Sequence, residues 1–502
     1  MLKIGQFTEG YDILGVGISY NVRNQRKKIK GGRYMQQLVA KPSLLIFVVI
    51  YVLLMVVVGA YYTKKSKTSD EFVKAGGGLG SIVLMGTFLA TFTGNGTISG
   101  GGNSLAYTYG LWPGIFFAMP SLLGVIVLAL LAKRIRESNT YTVAGIIEQK
   151  YGKLARTLSG AIIALSMISI CSYQYKGLAF VLNVTTGMDV NIATILSAIL
   201  IIWLATSGGL KSVAVTDAIS AGVMLVGIIM ATPFVVGAAG GWDAAVAANL
   251  EMNPASMTWN GGQTFAGFLS GYLPLFFLSL GDQNLYQRIG AANGSKTVRK
   301  GFIGWFVGLV VVMPLVAIIA FSSKAIFGTN ITAAMAFMST TTVIPTFVGG
   351  ILLAASAAFI ITTGDSYLLS GATNITYDIY VDRINPNATD KQKFNMTRIV
   401  IVVTGIIGYI LLQFFPSVLA IQYWSYTIYG AGITPAVLAA LCWKKVTKTG
   451  GIASMVVGTL LTIVYEALGQ PLGIATVLIA VPVAIVVLVV VSLLTQKENA
   501  KA

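Results

Sequence analysis

The chain contains no histidine and only two cysteines, Cys171 and Cys442. Without histidine it lacks the commonest general base, metal ligand and pH-sensitive side chain, so most hydrolase and metal-enzyme readings become poor. The two thiols lie inside or at the end of apolar runs, with no CxxC metal pair and no disulfide framework. Charge is scarce as well: 10% of the 502 residues are Asp, Glu, Lys or Arg, where soluble domains carry about 25%. Acidic residues are the scarcer sign, 17 against 34 basic ones. What fills the chain instead is hydrocarbon, with 55% hydrophobic residues and a mean hydropathy of +0.79. This is the composition of an all-α polytopic membrane protein.

A bilayer core needs about 20 apolar residues per helix. Runs of that kind predict about thirteen spans, at 43–62, 80–106, 112–132, 156–184, 190–206, 213–240, 266–285, 302–321, 347–376, 397–414, 418–442, 450–467 and 473–494. A β-barrel would show alternating ten-residue segments instead of these continuous runs.

Positive loops stay cytoplasmic, and the basic connectors all fall on one side if the spans alternate. They are YTKKSK (62–67), AKRIRE (132–137), YGKLAR (151–156), GGLKS (208–212), QRIGAANGSKTVRK (287–300), DRINPNATDKQKFNMTR (382–398), WKKVTK (443–448) and the terminal QKENAKA. The intervening loops, such as 240–262, are nearly uncharged. The first span is therefore expected to start outside and the carboxyl terminus to lie in the cytoplasm. The net charge of +17 then reflects topology, and a nucleic-acid partner has little support.

Residues 1–42 resist this scheme, with Arg23, Arg26, Lys27, Lys28, Lys30, Arg33 and Lys41 placed on the outer side and no apolar signal-peptide core. The expectation is a disordered extension or a start codon misassigned upstream of Met35. Residues 43–494 form the transmembrane domain and 495–502 a short cytoplasmic tail that leaves no room for an output domain. The glycine-rich KAGGGLGS (74–81) reads as a flexible entry into a span in preference to a phosphate cradle.

Polar interruptions within spans point to a pathway, because buried ionisable groups are costly in hydrocarbon. In LATFTGNGTISGGGNSLAY (89–107) five glycines accompany Asn95, Thr97 and Asn103. Unwound backbone survives at membrane depth only when buried in protein or lining a watery cavity. In SGYLPLFFLSLGDQNLYQR (270–288), Gly271, Pro274 and Gly281 interrupt the fifth span after that one. Paired interruptions in two halves are the mark of an inverted-repeat transporter, with its site where the breaks meet. Asp217 lies a few residues into its own span, as a path residue or as a helix-start carboxylate. In TTGDSYLLSGATNITYDIY (362–380), Thr362, Thr363 and Ser366 project toward one side of a helix with Asp365 at its edge. Hydroxyls, a carboxylate and freed carbonyls suit a small hard cation. Threonines that bond back along their own helix would account for the hydroxyls, but not for Asp365.

Three stretches carry a family resemblance. GGLKSVAVTDAI (208–219) looks like a GG-x-x-x-V-x-x-TD signature, DQNLYQRIGAANGSKTVRKG (282–301) like a Q-x-x-x-QR-x-x-A run, and 362–380 like an ST-x-DS-x-LL run ending in DIY. PAVLAALCWKKVTKTGG (435–451) adds a weaker match. Over residues 43–494 the chain resembles the sodium:solute symporters. The resemblance implies a LeuT-like fold of five plus five inverted helices, with repeats at about 80–240 and 266–442, one span before them and two after. It implies Na+ as coupling ion, held by the hydroxyls of Thr362 and Thr363 and by backbone carbonyls at Ala90 and Thr93. Asp217, Asp365 and Ser366 match a second ion or proton path, with a carboxylate at 365 where the sialic acid carriers have serine.

The implied function is sodium-coupled import of a small organic solute across the plasma membrane, with no enzymatic activity. Candidate solute contacts are Phe92, Asn95 and Thr97 in the first broken helix, Phe277 and Leu278 in the sixth core helix, and Gln422, Tyr423 and Ser425 in the tenth. Gln174 and Lys176 are candidates in the third. Lys176, if it faces the cavity, favours an amino acid or another carboxylate; otherwise it pairs with a protein carboxylate or snorkels outward. Gly96 stands where sugar carriers have an acidic contact, which makes a sugar less favoured. A proton-coupled or solute-sensing member of the fold is the alternative. An ion channel has no repeated filter ring in its favour.

Overall fold

The computed structural model describes residues 35–63, 78–140, 142–207 and 209–496. The expectations for residues 1–34, the basic connector beyond residue 63, the start of the glycine-rich piece, Gly208 and the last six residues lie outside the described residues.

Hydrocarbon forces every backbone polar group to be satisfied within its own segment, and the described chain is correspondingly helical with no sheet. The helices are α1 (Leu45–Thr63), α2 (Ser81–Phe92), α3 (Gly101–Thr108), α4 (Leu111–Glu137), α5 (Val143–Tyr151), α6 (Lys153–Thr186), α7 (Val190–Ser207), α8 (Leu210–Ala238) and α9 (Trp242–Met252). They continue with α10 (Phe265–Gly281), α11 (Gln283–Ala291), α12 (Ser295–Phe327), α13 (Thr346–Asn374), α14 (Asp390–Leu412), α15 (Val418–Gly432), α16 (Thr434–Cys442), α17 (Lys448–Ala467) and α18 (Thr476–Leu494). Eleven long apolar spans, the bent pair formed by α2 with Gly96–Thr108, and the shorter α1 correspond one to one with the thirteen expected runs.

Burial orders these spans from centre to rim. In α13 and its continuation, 89% of the most apolar window is buried, against 33% for α7 and α18. The oxygen-bearing segment 362–366 thus sits in the innermost helix, and the large apolar side chains of the outer helices, such as Ile199, Ile406 and Val486, face the lipid.

Among the described residues, the basic connectors at 132–137, 151–156, 287–300, 382–398 and 443–448 meet on one face. Arg136 Nη1 donates to the carbonyls of Ile289 and Ala292 at 3.0 and 2.7 Å, Arg134 Nη1 to Leu441 O at 3.1 Å, and Lys150 Nζ to Lys444 O at 3.3 Å. Gln496 Nε2 reaches Lys445 O at 2.7 Å. On this face Arg156 gathers Asp378 and Glu148, both at 2.8 Å, and Asp382 at 3.6 Å. Together they clamp the amphipathic α5 against the end of α13.

Residues 35–42 are ordered, against the disordered-extension reading of this stretch. They are packed against the opposite face, with Gln36 N donating to Ile326 O (2.9 Å) and Lys41 N to Val184 O (3.0 Å). Lys41 Nζ also donates to Ile344 O at 2.9 Å. The ammonium of a lysine counted as a topological anomaly finds a carbonyl partner in a loop.

The second interruption also falls elsewhere than the residue pattern suggests. α10 runs through Gly271 and Pro274 unbroken and stops at Gly281, where Asp282 takes an extended conformation with ψ 122°. Asp282 then caps α11, accepting from the amides of Asn284 and Leu285 at 2.7 and 3.2 Å. The two interrupted segments are tied together on the basic side: Leu79, just before α2, exchanges backbone hydrogen bonds with Ala291 and Asn293 at the end of α11.

Candidate ion and solute site

Glycine at 94 and 96 weakens the helix, and α2 ends at Phe92 before a wide π-helical turn over Gly96–Gly100. The bend between the two halves is 46°. Side chains from other helices replace the missing backbone bonds. Gln174 Oε1 accepts from Asn95 N at 3.1 Å, and Asn95 Nδ2 donates to Tyr173 O at 2.5 Å. Gln422 donates to Gly96 O at 2.9 Å and accepts from Gly101 N at 3.2 Å. Irregular backbone is thereby held by protein side chains, one of the arrangements that membrane depth permits.

Against this break lies α13. Thr363 Oγ1 donates to Ala90 O at 3.2 Å, and Gly94 allows the approach, since a Cβ there would sit 2.3 Å from that hydroxyl. Thr93 closes α2 through its own backbone N–H, which bonds the carbonyls of Leu89 and Ala90, and its side chain also turns back to Leu89 O. Thr362, the residue preceding Thr363, makes a long 3.5 Å contact to Phe359 O and a side-chain hydrogen bond with Asp217. Thr363 is thus brought against Ala90 and the end of α2 at Thr93, with Thr362, hydrogen-bonded to Asp217, beside it on α13.

One helical turn toward the basic face is a second cluster whose centre sequence reading missed. Arg288, fully buried, donates from Nη2 to Asp217 Oδ2 (3.2 Å) and Ser366 Oγ (2.8 Å), from Nε to Thr87 Oγ1 (2.6 Å) and from Nη1 to Asn284. Thr87 also bonds Asp217 Oδ2. Asp217 is therefore no helix-start carboxylate in water; it is one half of a buried ion pair. Asp365 Oδ1 has no hydrogen-bond partner, nor does Asp217 Oδ1.

Above the ion positions is a small central cavity lined by Thr91, Phe92, Tyr173, Gln174, Leu275 and Leu278, with Thr363, Tyr367 and Tyr426 closing it. Its volume is about 10 Å³, room for one water, so this conformation is closed around the site. Tyr173 and Tyr426 share a 3.0 Å hydrogen bond, and Tyr367 donates to Asp282 Oδ2 at 3.1 Å. Of the expected solute contacts, Phe92, Gln174 and Leu278 line this cavity. Asn95 and Gln422 brace the break beside it.

The five others point elsewhere, for reasons of helical geometry. Phe277, 100° around α10 from Leu278, packs on Gly430 and on the cluster with α18. Ser425 bonds back to Ile421 O at 2.6 Å, Thr97 to Phe92 O at 3.2 Å, and Tyr423 lies against α10 near Gly271. Lys176 opens instead into an outer cavity of about 430 Å³ with Ser104, Thr108, Asn191 and Ser417. It is half-buried, and no carboxylate pairs with it among the described residues. The three tyrosines missed by sequence reading come from helices far apart in the chain, and no local pattern marks them.

α6 presses on the break at Gly177, where a Cβ would lie 2.1 Å from Asn95 Oδ1. Alanine is the better helix former by about 1 kcal/mol, but overpacking costs about 1–3 kcal/mol and displaces the Asn95 brace. Gly177→Ala is expected to lower the thermal midpoint in detergent and to abolish solute uptake; an unchanged midpoint with full uptake would show that the break tolerates a shift of Asn95.

Comparison with known proteins agrees with this architecture. The sodium:solute symporter family model matches residues 72–458. The sodium/pantothenate symporter of Escherichia coli K12 is 26% identical over 80% of this chain and 86% of its own length, and the sodium/proline symporter of Staphylococcus aureus is 30% identical over 62% and 64%. The substrate-bound, outward-open structure of a Na+-coupled sialic acid symporter superimposes with a TM-score of 0.74 at 18% identity, covering 90% of this chain and 98% of that one. With a broken α2, a hydroxyl pair on α13 and a LeuT-like helix order already in place, the chain belongs to the sodium:solute symporter family, a multi-pass membrane transporter that couples solute movement to Na+ and not an enzyme.

Proposed function

We propose that this symporter imports a small organic solute bearing a carboxylate, an amino acid or another organic anion. The observation that carries the reading is Lys176, a cation with no carboxylate partner among the described residues, in an outer cavity two residues along α6 from Gln174 of the central one. The lining of the central cavity supports it, having aromatic, amide and hydroxyl groups but no acid. An apolar wall with a few fixed polar groups suits a small solute of mixed character. The named relatives carry pantothenate and proline, and both solutes contain a carboxylate.

Sodium binds between Ala90 and Thr93 of α2 and Thr362 and Thr363 of α13. It joins the bent helix to the central one and so favours the state in which the solute site is assembled. Solute then permits closure, and opening toward the other side releases both; coupling is a difference in affinity between states. Asp217, Asp365 and Ser366 form the second path. Arg288 already neutralises Asp217, so Asp365 is the group left to take up a proton or a further cation, and proton coupling through it is the second reading. The first span starts outside and the carboxyl terminus lies in the cytoplasm, because the basic connectors share one face.

The test is thermal stability of purified protein across amino acids, carboxylates, sugars and vitamins, with sodium or potassium present. The expected result is stabilisation by a carboxylate solute in sodium only. Lys176→Gln should weaken that solute about fivefold to tenfold, the worth of about 1 kcal/mol for one partly exposed pair, and leave stabilisation by sodium alone unchanged. A sugar that stabilises wild type and Lys176→Gln equally overturns the anionic reading.

A further inference from the structure

Away from the transport path, α4 and α12 diverge to leave a groove of about 620 Å³ on the outside of the bundle. That volume is within the range of ligand clefts, roughly 300–1,000 Å³. Its walls are apolar, formed by Ile126, Ala129 and Leu130 of α4 and Phe302, Phe306 and Val307 of α12. Several of these are exposed to the bilayer, Leu130 to 78%.

Three cations stand together at one end of the groove. Lys133 has only a long, exposed pairing with Glu137 (3.8 Å), which contributes little. Arg136 is braced through Nη1 alone, so its Nε and Nη2 remain free to donate. Arg299 is exposed and pairs with no carboxylate among the described residues. Ser295 lines the same end, at the start of a helix whose cap, Gly294, offers no side-chain acceptor. The first-turn amides therefore add to the positive potential there.

The dimensions match a lipid leaflet. From Ser295 to Val307 the helix rises about 18 Å, slightly more than half of the roughly 30 Å hydrocarbon core. The charge is at the end where a headgroup would lie, and the apolar length runs inward from it.

We propose that this groove binds an anionic phospholipid, with an acyl chain along the α4–α12 seam and the phosphate held by Lys133, Arg136 and Arg299. Basic pockets between membrane helices recognise such headgroups. Charge complementarity selects this occupant: one rim carries three cations and a single carboxylate, and the remainder offers hydrocarbon no polar partner.

Native mass spectrometry of the purified symporter, given phosphatidylglycerol and phosphatidylcholine of matched chains, tests the assignment. Wild type should retain phosphatidylglycerol preferentially. Lys133→Gln combined with Arg299→Gln should cut that preference about 20-fold. Ala129→Trp, which fills the groove and leaves the charges in place, should also lose phosphatidylglycerol; Ile126→Trp replaces it if its thermal midpoint departs from wild type. Equal retention of the two lipids by wild type, or an unchanged preference in the charge variant, overturns the proposal. So does loss in the charge variant but not in the tryptophan variant, or displacement by soluble glycerol phosphate, which would make this a small-anion site and not a lipid seat.

Discussion

Replacing Arg288 by glutamine is expected to destabilise the folded symporter by about 3–5 kcal/mol, the usual cost of breaking a buried ion pair from one side. The guanidinium is fully buried and donates to Asp217, Ser366, Thr87 and Asn284 at once. Removing it strands the Asp217 carboxylate in the membrane interior, one helix away from Asp365, whose Oδ1 is already without a partner. Denaturant titration in detergent measures the loss. Asp217→Asn in the Arg288→Gln background should recover much of it, because no uncompensated charge then remains, and the double-mutant cycle isolates the pair. If Arg288 served only as a topological charge at the membrane surface, the substitution would cost less than about 0.5 kcal/mol, and the cycle would show no coupling.

Arg288 also marks the boundary of what the chain reveals in one dimension. Its cation is plain in QRIGAANGSKTVRK, and the positive-inside rule counts it correctly toward one face. Burial is a property of the fold, and nothing in the run separates Arg288, which is buried, from Arg299, which is exposed. The same holds for glycines. Gly94 is required by the approach of Thr363 and is legible, because it stands among polar residues in a span. Gly271 is not a break: a Cβ there would meet only Tyr423 Oη at 3.3 Å, whereas at Gly281 it would come within 2.8 Å of Thr434. Pro274 removes a donor, yet neighbouring helices bury the turn around it and α10 passes through.

The spans, their order, the first break and the hydroxyl pair were legible because hydrocarbon imposes long runs and makes each polar exception conspicuous. The solute cage was only partly so. A 100° step separates Leu278, which lines the cavity, from Phe277, which does not, and the phase of a helix that is apolar all round is not written in its pattern. Tyr173, Tyr367 and Tyr426 meet only because α6, α13 and α15 converge. In the sequence each is an ordinary aromatic residue within an apolar run.

Thr363→Ala tests the ion site most directly. Its hydroxyl, 3.2 Å from Ala90 O, bonds the central helix directly to the broken one at the expected sodium position. Losing a partner adjacent to a metal ligand commonly costs 10- to 100-fold in affinity, and losing a ligand should cost at least as much. The sodium concentration for half-maximal uptake is therefore expected to rise about 10- to 100-fold in Thr363→Ala, while Thr363→Ser, which keeps the oxygen and gives up a methyl group, stays within a few-fold of wild type. Gly94 leaves no space to fill on that side, so the serine variant should fold normally. Linkage sharpens the test. Since coupling between two ligands is reciprocal, the alanine variant should bind solute without sodium as well as wild type does and lose only the increase that sodium confers. A variant that retained the full increase would move the coupling ion away from the hydroxyl pair, to the oxygens of Asp365 and Asp217, where Arg288 already competes for one of the two carboxylates.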